Sequence, residues 1–557
     1  MSMDLSRRDF LAGLSIAAAE AACVKADNSC WTPEVPYGGE PQPLPGVGLR
    51  AVRETMYSFN EVESATPTVY TPASEADVAA LLQAASKTNR RVTFRGGGQS
   101  LDDQSLNDDL VLLMTNPAFT KIGDPQPSEE GFYIDVGAGA RWEDVIKHVG
   151  AFGLLPPSFP TAQCATVGGS MSADCLSRMS CVFGKESQQI RAFTLVLPTG
   201  ETVRCRRNQG GIEGRLFRSV IGGFGLLGAV THISFDLIAA RGAPRPLTRG
   251  SPPCVFTRST RSHPSTNWDT ALRELQSKTV EAKKSYERHA HHHKGRGRLD
   301  PSLARAPEWT GLSLAAFLAG SGLSATLLQQ RYLDPQALNP YPGGLYEAKN
   351  TFPGVAELAN VNWPTVVDVG VDFNPEGDYV DDLLGWGFFL GYSTAIAKNA
   401  AHASKGTINF TQQSFALPAG TDAAVDPRET QRFIELVTAR LHAADLQPPV
   451  IDFLYVPADD FTMSASRGLI SFVATVSFTE HNRKGDFSTE LVDTLHALSN
   501  DCRTLGGRVH LVKGVMADPG DLRAMYGDAA REFLALKKLC DPQDVLRNKF
   551  FERVLLA

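Results

Sequence analysis

No hydrophobic run in this chain is long enough to cross a bilayer. The most apolar N-terminal stretch, Leu11 to Ala22, is about a dozen residues, against the roughly 20 that a spanning helix needs. Positive charge is also short: 54 Lys and Arg stand against 61 Asp and Glu, for a net charge of −7. That removes the basic footprint on which phosphate-backbone binding depends, so nucleic acid is not an expected partner. The nine cysteines (Cys23, Cys30, Cys164, Cys175, Cys181, Cys205, Cys254, Cys502 and Cys540) contain no C-x-x-C pair and no metal-finger spacing. Dithiol redox motifs and zinc ribbons are thereby excluded. An oxidising destination would permit disulfides, but a chain of this length needs none to build a core, and the redox state stays open.

What is present is an ordinary globular composition, 43% hydrophobic and 21% charged over 557 residues, enough for two or three domains. The string Ser6-Arg7-Arg8-Asp9-Phe10-Leu11 resembles the twin-arginine export motif, and alanine-rich residues follow it. Export to the periplasm or cell exterior is the expectation, with a cytoplasmic address as the alternative. A Pro-, Gly- and Asn-rich connector follows from about Asp27 to Pro45.

Ser74 then caps a helix with Asp77 at its third position, and Val78, Leu81, Leu82 and Ala85 recur on one face. The helix hands over at Asn89 to a short strand, Val92 to Phe94, which opens into Gly96, Gly97 and Gly98. Residues without Cβ atoms accept positive φ and turn successive N–H groups into a concave nest suited to a pyrophosphate. Leu110 to Met114 and Phe132 to Val136 read as strands, and Trp142, Val145, Ile146 and Val149 as a helix. Two more glycine-dense loops follow, Pro160 to Ala173 (PTAQCATVGGSMSA) and Ile221 to Thr231 (IGGFGLLGAVT). Three such loops beside strands are more than turn punctuation requires.

As an ordered set, RGGGQS, TVGGSMSA, Phe183-Gly184, the TG turn at Gly200 and GGFGLLGAVT resemble the FAD-binding domain of the vanillyl-alcohol oxidase superfamily, over roughly Thr66 to Leu237 with a C-terminal return. The resemblance implies an α+β protein: a PCMH-type two-subdomain FAD domain and a substrate or cap domain with an antiparallel sheet. The implied boundaries are 1–30 for signal and connector, 31–240 for the FAD domain, 241–515 for the substrate domain, and 516–557 for a segment returning to the FAD domain. It implies FAD held by Gly96, Gly97, Gly98, Gln99, Ser100 and Leu101 at the pyrophosphate. Pro160, Thr161, Thr166, Gly168, Gly169, Ser172, Ala173, Gly225, Gly228 and Val230 would line the remainder. Many relatives bond the flavin through a His where this chain has Gln99, which cannot do so; noncovalent FAD is therefore expected, with Cys164 a minor candidate for a covalent link.

Past Leu237 the texture changes: residues 241–267 are Pro- and Ser-rich, and the tract Glu287 to Arg298 reads as a solvated basic loop, not a metal site. No metal is expected anywhere. From Asn409 to Phe487 strands and helices alternate (Phe410–Leu417, Glu429–His442, Ile451–Val456, Leu469–Phe478). The tail Gly506-Gly507-Arg508-Val509-His510-Leu511-Val512-Lys513-Gly514 resembles the C-terminal portion of decaprenylphosphoryl-ribose 2′-oxidases and related sugar or sterol flavoproteins. That likeness implies Lys513 as a charge near flavin or substrate and Gln412 as a substrate-facing group. His510 is read with Lys513 as sharing one strand face and serving as base, with Tyr455 second. Departures stand beside the likeness: Asp174-Cys175-Leu176-Ser177-Arg178 replaces D-I-H-G-K, Thr475 falls where the sugar oxidases carry Cys, and Thr161 where cytokinin dehydrogenases carry their Asp base. The implied activity is an FAD-dependent oxidoreductase acting on an alcohol-bearing small molecule such as a sugar, polyol or secondary metabolite, with oxygen or a quinone-like acceptor. Alternatives are a C–C reductase or desaturase of the sterol-reductase kind, and a noncatalytic FAD-binding protein.

Overall fold

The computed structural model describes residues 34–36, 39–128, 131–150, 152, 154–160, 164–239, 254–262, 268–290, 310–319, 322–333, 378–382, 408–421, 424–446, 450–481 and 486–555. The twin-arginine string, Thr161 and most of the His-rich tract lie outside these residues. Among the described residues the fold is α+β, with three principal sheets.

The first sheet runs Glu34–Pro36, Ala51–Tyr57, Thr68–Tyr70, Leu110–Leu113, Val92–Arg95 across its width. Its glycine-loop strand, Val92–Arg95, pairs in parallel with Leu110–Leu113. The helix between Thr68–Tyr70 and Val92–Arg95 spans Glu75–Thr88. Ser74 accepts from the Asp77 N–H at its start, Asn89 ends it at φ 52°, and Val78, Leu81, Leu82 and Ala85 are buried. The apolar spacing thus fixes which face packs. The second sheet runs Thr202–Arg206, Ile190–Val196, Ala229–Ala239, Gly131–Gly137, Gln126–Ser128 and is antiparallel. Helix Trp142–Gly150 packs its Val145, Ile146 and Val149 into the core over it.

The third sheet has eight strands, in the order Asp378–Asp382, Cys254–Ser262, Gly322–Leu333, Thr310–Ala319, Val450–Val456, Ser471–His481, Ile408–Pro418, Arg508–His510. Four of these strands, from 254 to 382, fall where the sequence read only as Pro- and Ser-rich or featureless. Helix Trp268–Ala290 was likewise unread, and its C-terminal residues Glu287–Ala290 begin the tract that read as loop. Leu272, Leu275 and Thr279 of this helix are buried, a spacing of three and four that the high surrounding charge obscured.

Side chains alternate across a strand, so register assigns faces. Phe415, Leu417, Phe453, Phe472, Ala474 and Val476 enter the large core on one face of the third sheet, against helices Arg428–Ala443 and Thr489–Thr504. Gln412, Ser414 and Ala416, paired with Ser477, Thr475 and Val473, take the other face. There a small cluster of Ala416, Val456, Ala465 and Val473 receives Leu176 from the segment after the second glycine loop. The C-terminus returns to the first sheet: Leu546 bridges Val92, and the Lys549 N–H donates to the Leu106 carbonyl.

Candidate active site

The three glycine loops converge. A Cβ on Gly96 would sit 2.3 Å from Thr166 Oγ1, one on Gly97 would sit 2.1 Å from the Cys164 carbonyl, and one on Gly168 would sit 2.8 Å from Ala138 Cβ. The first two loops therefore touch at distances only glycine tolerates. The third joins them through Phe224, whose N–H donates to the Ser172 carbonyl at 2.8 Å, and Gly222, whose N–H donates to the Met171 carbonyl at 3.2 Å. Gly98 takes φ +66°, and the Gln99 amide folds back onto the Gly97 carbonyl at 3.0 Å.

Among the described residues, no hydrogen bond leaves the backbone N–H groups of Gly96, Gly97, Gly98, Gln99, Ser100 or Leu101. Backbone donors in a folded interior are nearly always satisfied. Six successive donors with no partner among the described residues, around a positive-φ glycine, form a nest with the chemistry of a pyrophosphate site, so the residues present fit FAD. Thr166 caps the short helix Val167–Ala173, accepting from the Gly169 N–H at 3.2 Å. Gly225 takes φ +73° against the Phe94 ring. Gly228 is explained by packing alone, since a Cβ there would meet Leu195 Cδ1 and the Val196 carbonyl at 2.8 Å. Val230 points into the core beside it, and Pro160 is buried at the head of the second loop. Cys164 is disulfide-bonded, which removes its sulfur from flavin chemistry.

Opposite this domain lies the polar face of the third sheet. Ser414 is in register with His510 on one side and Thr475 on the other, and Thr475 with Asp452. One row across four strands thus carries His510, Ser414, Thr475 and Asp452, with the Ser414 and Thr475 hydroxyls 2.7 Å apart. Gln412 lies one step along the same face. Its Nε2 donates to Ser477 Oγ at 2.9 Å, while its Oε1 is buried without a partner. The neighbouring Gln413 points the other way and is structural, bonded to Ser499 and to the Met516 N–H.

His510 and Lys513 are three positions apart, which on a continuous strand would place them on opposite faces. The strand ends at His510 and a turn follows, so the shared-face reading was wrong in its reason. Gly514 packs where a Cβ would lie 2.6 Å from Thr411 Oγ1 and 3.0 Å from the Gln412 carbonyl, so the turn that carries Lys513 runs along this strand. The carbonyls of Leu511 and Lys513 both accept from Gln104 Nε2, tying this turn to the first domain.

His510 is buried, and its pKa is pushed down to about 3 by burial, with the nearby Lys185 charge adding to the effect. Its Nδ1 accepts from the Val512 N–H at 3.2 Å, and its Nε2 is buried without a partner. A neutral imidazole that accepts at Nδ1 carries its proton at Nε2. His510 is therefore an unsatisfied donor, not a base, which corrects the role expected of it. Lys513 has no hydrogen bond or ion pair from its Nζ among the described residues. Burial lowers its pKa, against the attraction of Cys175 and Asp452 and helped by Arg178. Tyr455 sits on the core face, its ring 5.5 Å from Phe472 and edge-on to it; strand alternation turns it away from Gln412 and His510, which removes it as a candidate.

Several buried polar groups escaped the sequence reading. Lys185, fully buried, pairs with Asp174 and with Asp459 at 2.7 Å, and donates to Ser464 Oγ at 2.7 Å. Although burial opposes it, the two carboxylates hold its pKa above the usual value. This cluster joins the FAD domain to the loop after Val456. Glu186, beside it, is pushed well above the carboxylate range by burial, against the Ser170 hydroxyl. Arg178 reaches across to Asp452, with Nη2 at 3.2 and 2.9 Å from its two oxygens. One signal was available: Asp452 is a lone acid in the otherwise apolar strand IDFLYV, at the alternation position that avoids the core.

Residues 66–206 match the family model described as FAD binding domain. The chain is 31% identical over 169 residues to cytokinin dehydrogenase 5 of Arabidopsis thaliana, covering 30% of this chain and 31% of that protein. It is 32% identical over 179 residues to cytokinin dehydrogenase 1 of Oryza sativa subsp. japonica, covering 31% and 33%. The chain thus spans about a third of the length of the curated relatives it matches. These matches support an FAD-binding domain over residues 66–206, with FAD as the cofactor.

Proposed function

We propose that this chain is an FAD-dependent oxidoreductase that takes a hydride from an alcohol-bearing small molecule, a sugar, polyol or secondary metabolite. The observation that carries the reading is the pair of buried, unsatisfied polar atoms on one face of the third sheet, Gln412 Oε1 and His510 Nε2, with Lys513 in the turn that follows His510. Buried polar groups without partners are costly, and a native protein keeps them where a ligand completes them. When bound, FAD supplies the hydride acceptor. Lys513, its amine made less basic by burial, takes the proton of the substrate hydroxyl. The His510 Nε2–H donates to the oxygen as its charge develops, and the Gln412 carbonyl orients a second hydroxyl.

The likeness of the GGRVHLVKG tail to the sugar-oxidase branch supports an alcohol substrate. A second reading, a cytokinin as substrate, rests on the names of the relatives. The proposed address is outside the cytoplasm by the twin-arginine route, and the proposed acceptor is oxygen or a quinone-like molecule.

Anaerobic mixing of the FAD-loaded protein with polyols, lactones, hydroxylated lipids and a cytokinin tests the assignment through flavin absorbance. Bleaching by an alcohol is the expected result. Bleaching by the cytokinin alone would move the assignment to the second reading, and no bleaching with any of them would leave a noncatalytic FAD protein.

A further inference from the structure

We propose that Arg178 and Asp452 form a specificity-determining pair that selects polyhydroxylated substrates. The inference rests on the alcohol reading above and names the substrate class within it. Two domains supply the pair. Arg178 belongs to the segment after the second glycine loop, anchored where its carbonyl accepts from the Leu312 N–H at 2.9 Å, and Asp452 belongs to the central strand Val450–Val456.

Their exposures differ sharply. The Arg178 side chain is 6% exposed and the Asp452 side chain 36%. The guanidinium is thus the buried support and the carboxylate the open partner, lying on the same sheet face as Gln412 and in the row that ends at His510. With adjacent strands about 4.8 Å apart, the four-strand row spans roughly 14 Å. His510 at one end of the row and Asp452 at the other therefore fall on one ligand of that length.

The charge of the pair decides the ligand class. Arg178 and Asp452 neutralise one another, with both carboxylate oxygens accepting from Nη2. An ionic ligand would give up its hydration for a pair that carries no net charge to offset that cost. A hydroxyl donates to the open side of Asp452 while leaving the pair intact. Between the two ends lie the hydroxyls of Ser414 and Thr475, 2.7 Å apart; Ser414 is fully buried and Thr475 half-buried, so Thr475 is the one placed to meet a further hydroxyl.

Equilibrium binding of sorbitol and maltitol to the FAD-loaded protein, measured by calorimetry, tests this without reference to turnover. Hexanol, hexanoate and hexylamine serve as controls of one chain length. The expected result is that maltitol binds and the three controls do not. Asp452→Asn should weaken maltitol binding by roughly 10- to 100-fold, as loss of a charge-assisted hydrogen bond does, and should raise KM with kcat little changed. Asp452→Glu should recover part of the affinity. Preferential binding of hexanoate or hexylamine, or an unchanged maltitol Kd in both variants, would overturn the proposal. A fall in kcat with Kd and KM intact would overturn it too, by making Asp452 a base. If maltitol binds through Asp452 yet no alcohol bleaches the flavin, the proposed oxidation fails while the specificity pair stands.

Discussion

The glycine loops and the polar face of the third sheet lie opposite each other, and they were written into the chain in different ways. The FAD side is built from backbone. Its positions demand glycine because the Cys164 carbonyl lies 2.1 Å from where a Cβ of Gly97 would be, and because Gly98 sits at φ +66°. The proposed substrate side is built from side chains at alternate positions of strands far apart in sequence, such as Gln412, Asp452 and His510. A cofactor of fixed shape leaves a compositional mark within a few residues. A substrate site leaves one only after register has assembled it.

The hardest test of that contrast is a single methyl group. Gly97→Ala places a carbon against backbone, which cannot rotate away. The expected outcome is loss of more than about nine-tenths of bound FAD after purification, with far-ultraviolet dichroism unchanged, since overpacking typically costs 1–3 kcal/mol locally. Full flavin content in this variant would mean that the loop contact is slack and the backbone argument fails.

Legibility followed the same division. Helix Glu75–Thr88 was readable to its caps, because Ser74, Asp77 and Asn89 act locally and the apolar period is undisturbed. The strands Ile408–Pro418, Val450–Val456 and Ser471–His481 were each located within a few residues. The strands Cys254–Ser262, Thr310–Ala319 and Gly322–Leu333 were not, because their stability comes from pairing with one another and with Val450–Val456, a long-range term that local propensity does not carry. At the proposed site, Lys513 and Gln412 were singled out through a motif. The tautomer of His510 and the partner of Arg178 required coordinates, since the first depends on the Val512 N–H and the second on a residue 274 positions away.

Lys513 separates the two halves from the substrate side. Lys513→Ala should slow anaerobic flavin reduction by about 100-fold or more, the usual scale of a lost general base, while FAD content stays at the wild-type level. Lys513→Arg distinguishes the two roles this residue could play. A guanidinium keeps the charge but does not deprotonate, so recovery of the rate in Lys513→Arg would make the residue an electrostatic group, and failure to recover makes it the base. Loss of FAD in the alanine variant would show instead that the side chain belongs to the cofactor half.

The smallest effect concerns stability. His510 has a folded pKa of about 3, below the 6.5 of the unfolded chain. Between those values the unfolded chain binds a proton that the fold excludes, so stability is full above pH 6.5 and declines as pH falls toward 3. At pH 5 the contribution lost is about 2 kcal/mol. Asp102 works the other way in part of the same window. Burial and the Asp103 charge raise its pKa to about 6, so the fold favours its protonated form and loses stability as pH rises from 3.8 to 6. The wild-type curve mixes the two, and only a difference between variants isolates either. His510→Gln keeps a buried donor and acceptor but cannot titrate. Its melting temperature should fall by a few degrees less than that of the wild type between pH 7.5 and 5. Parallel curves for the two proteins would show that His510 meets water in the folded state, which would return it to the list of bases.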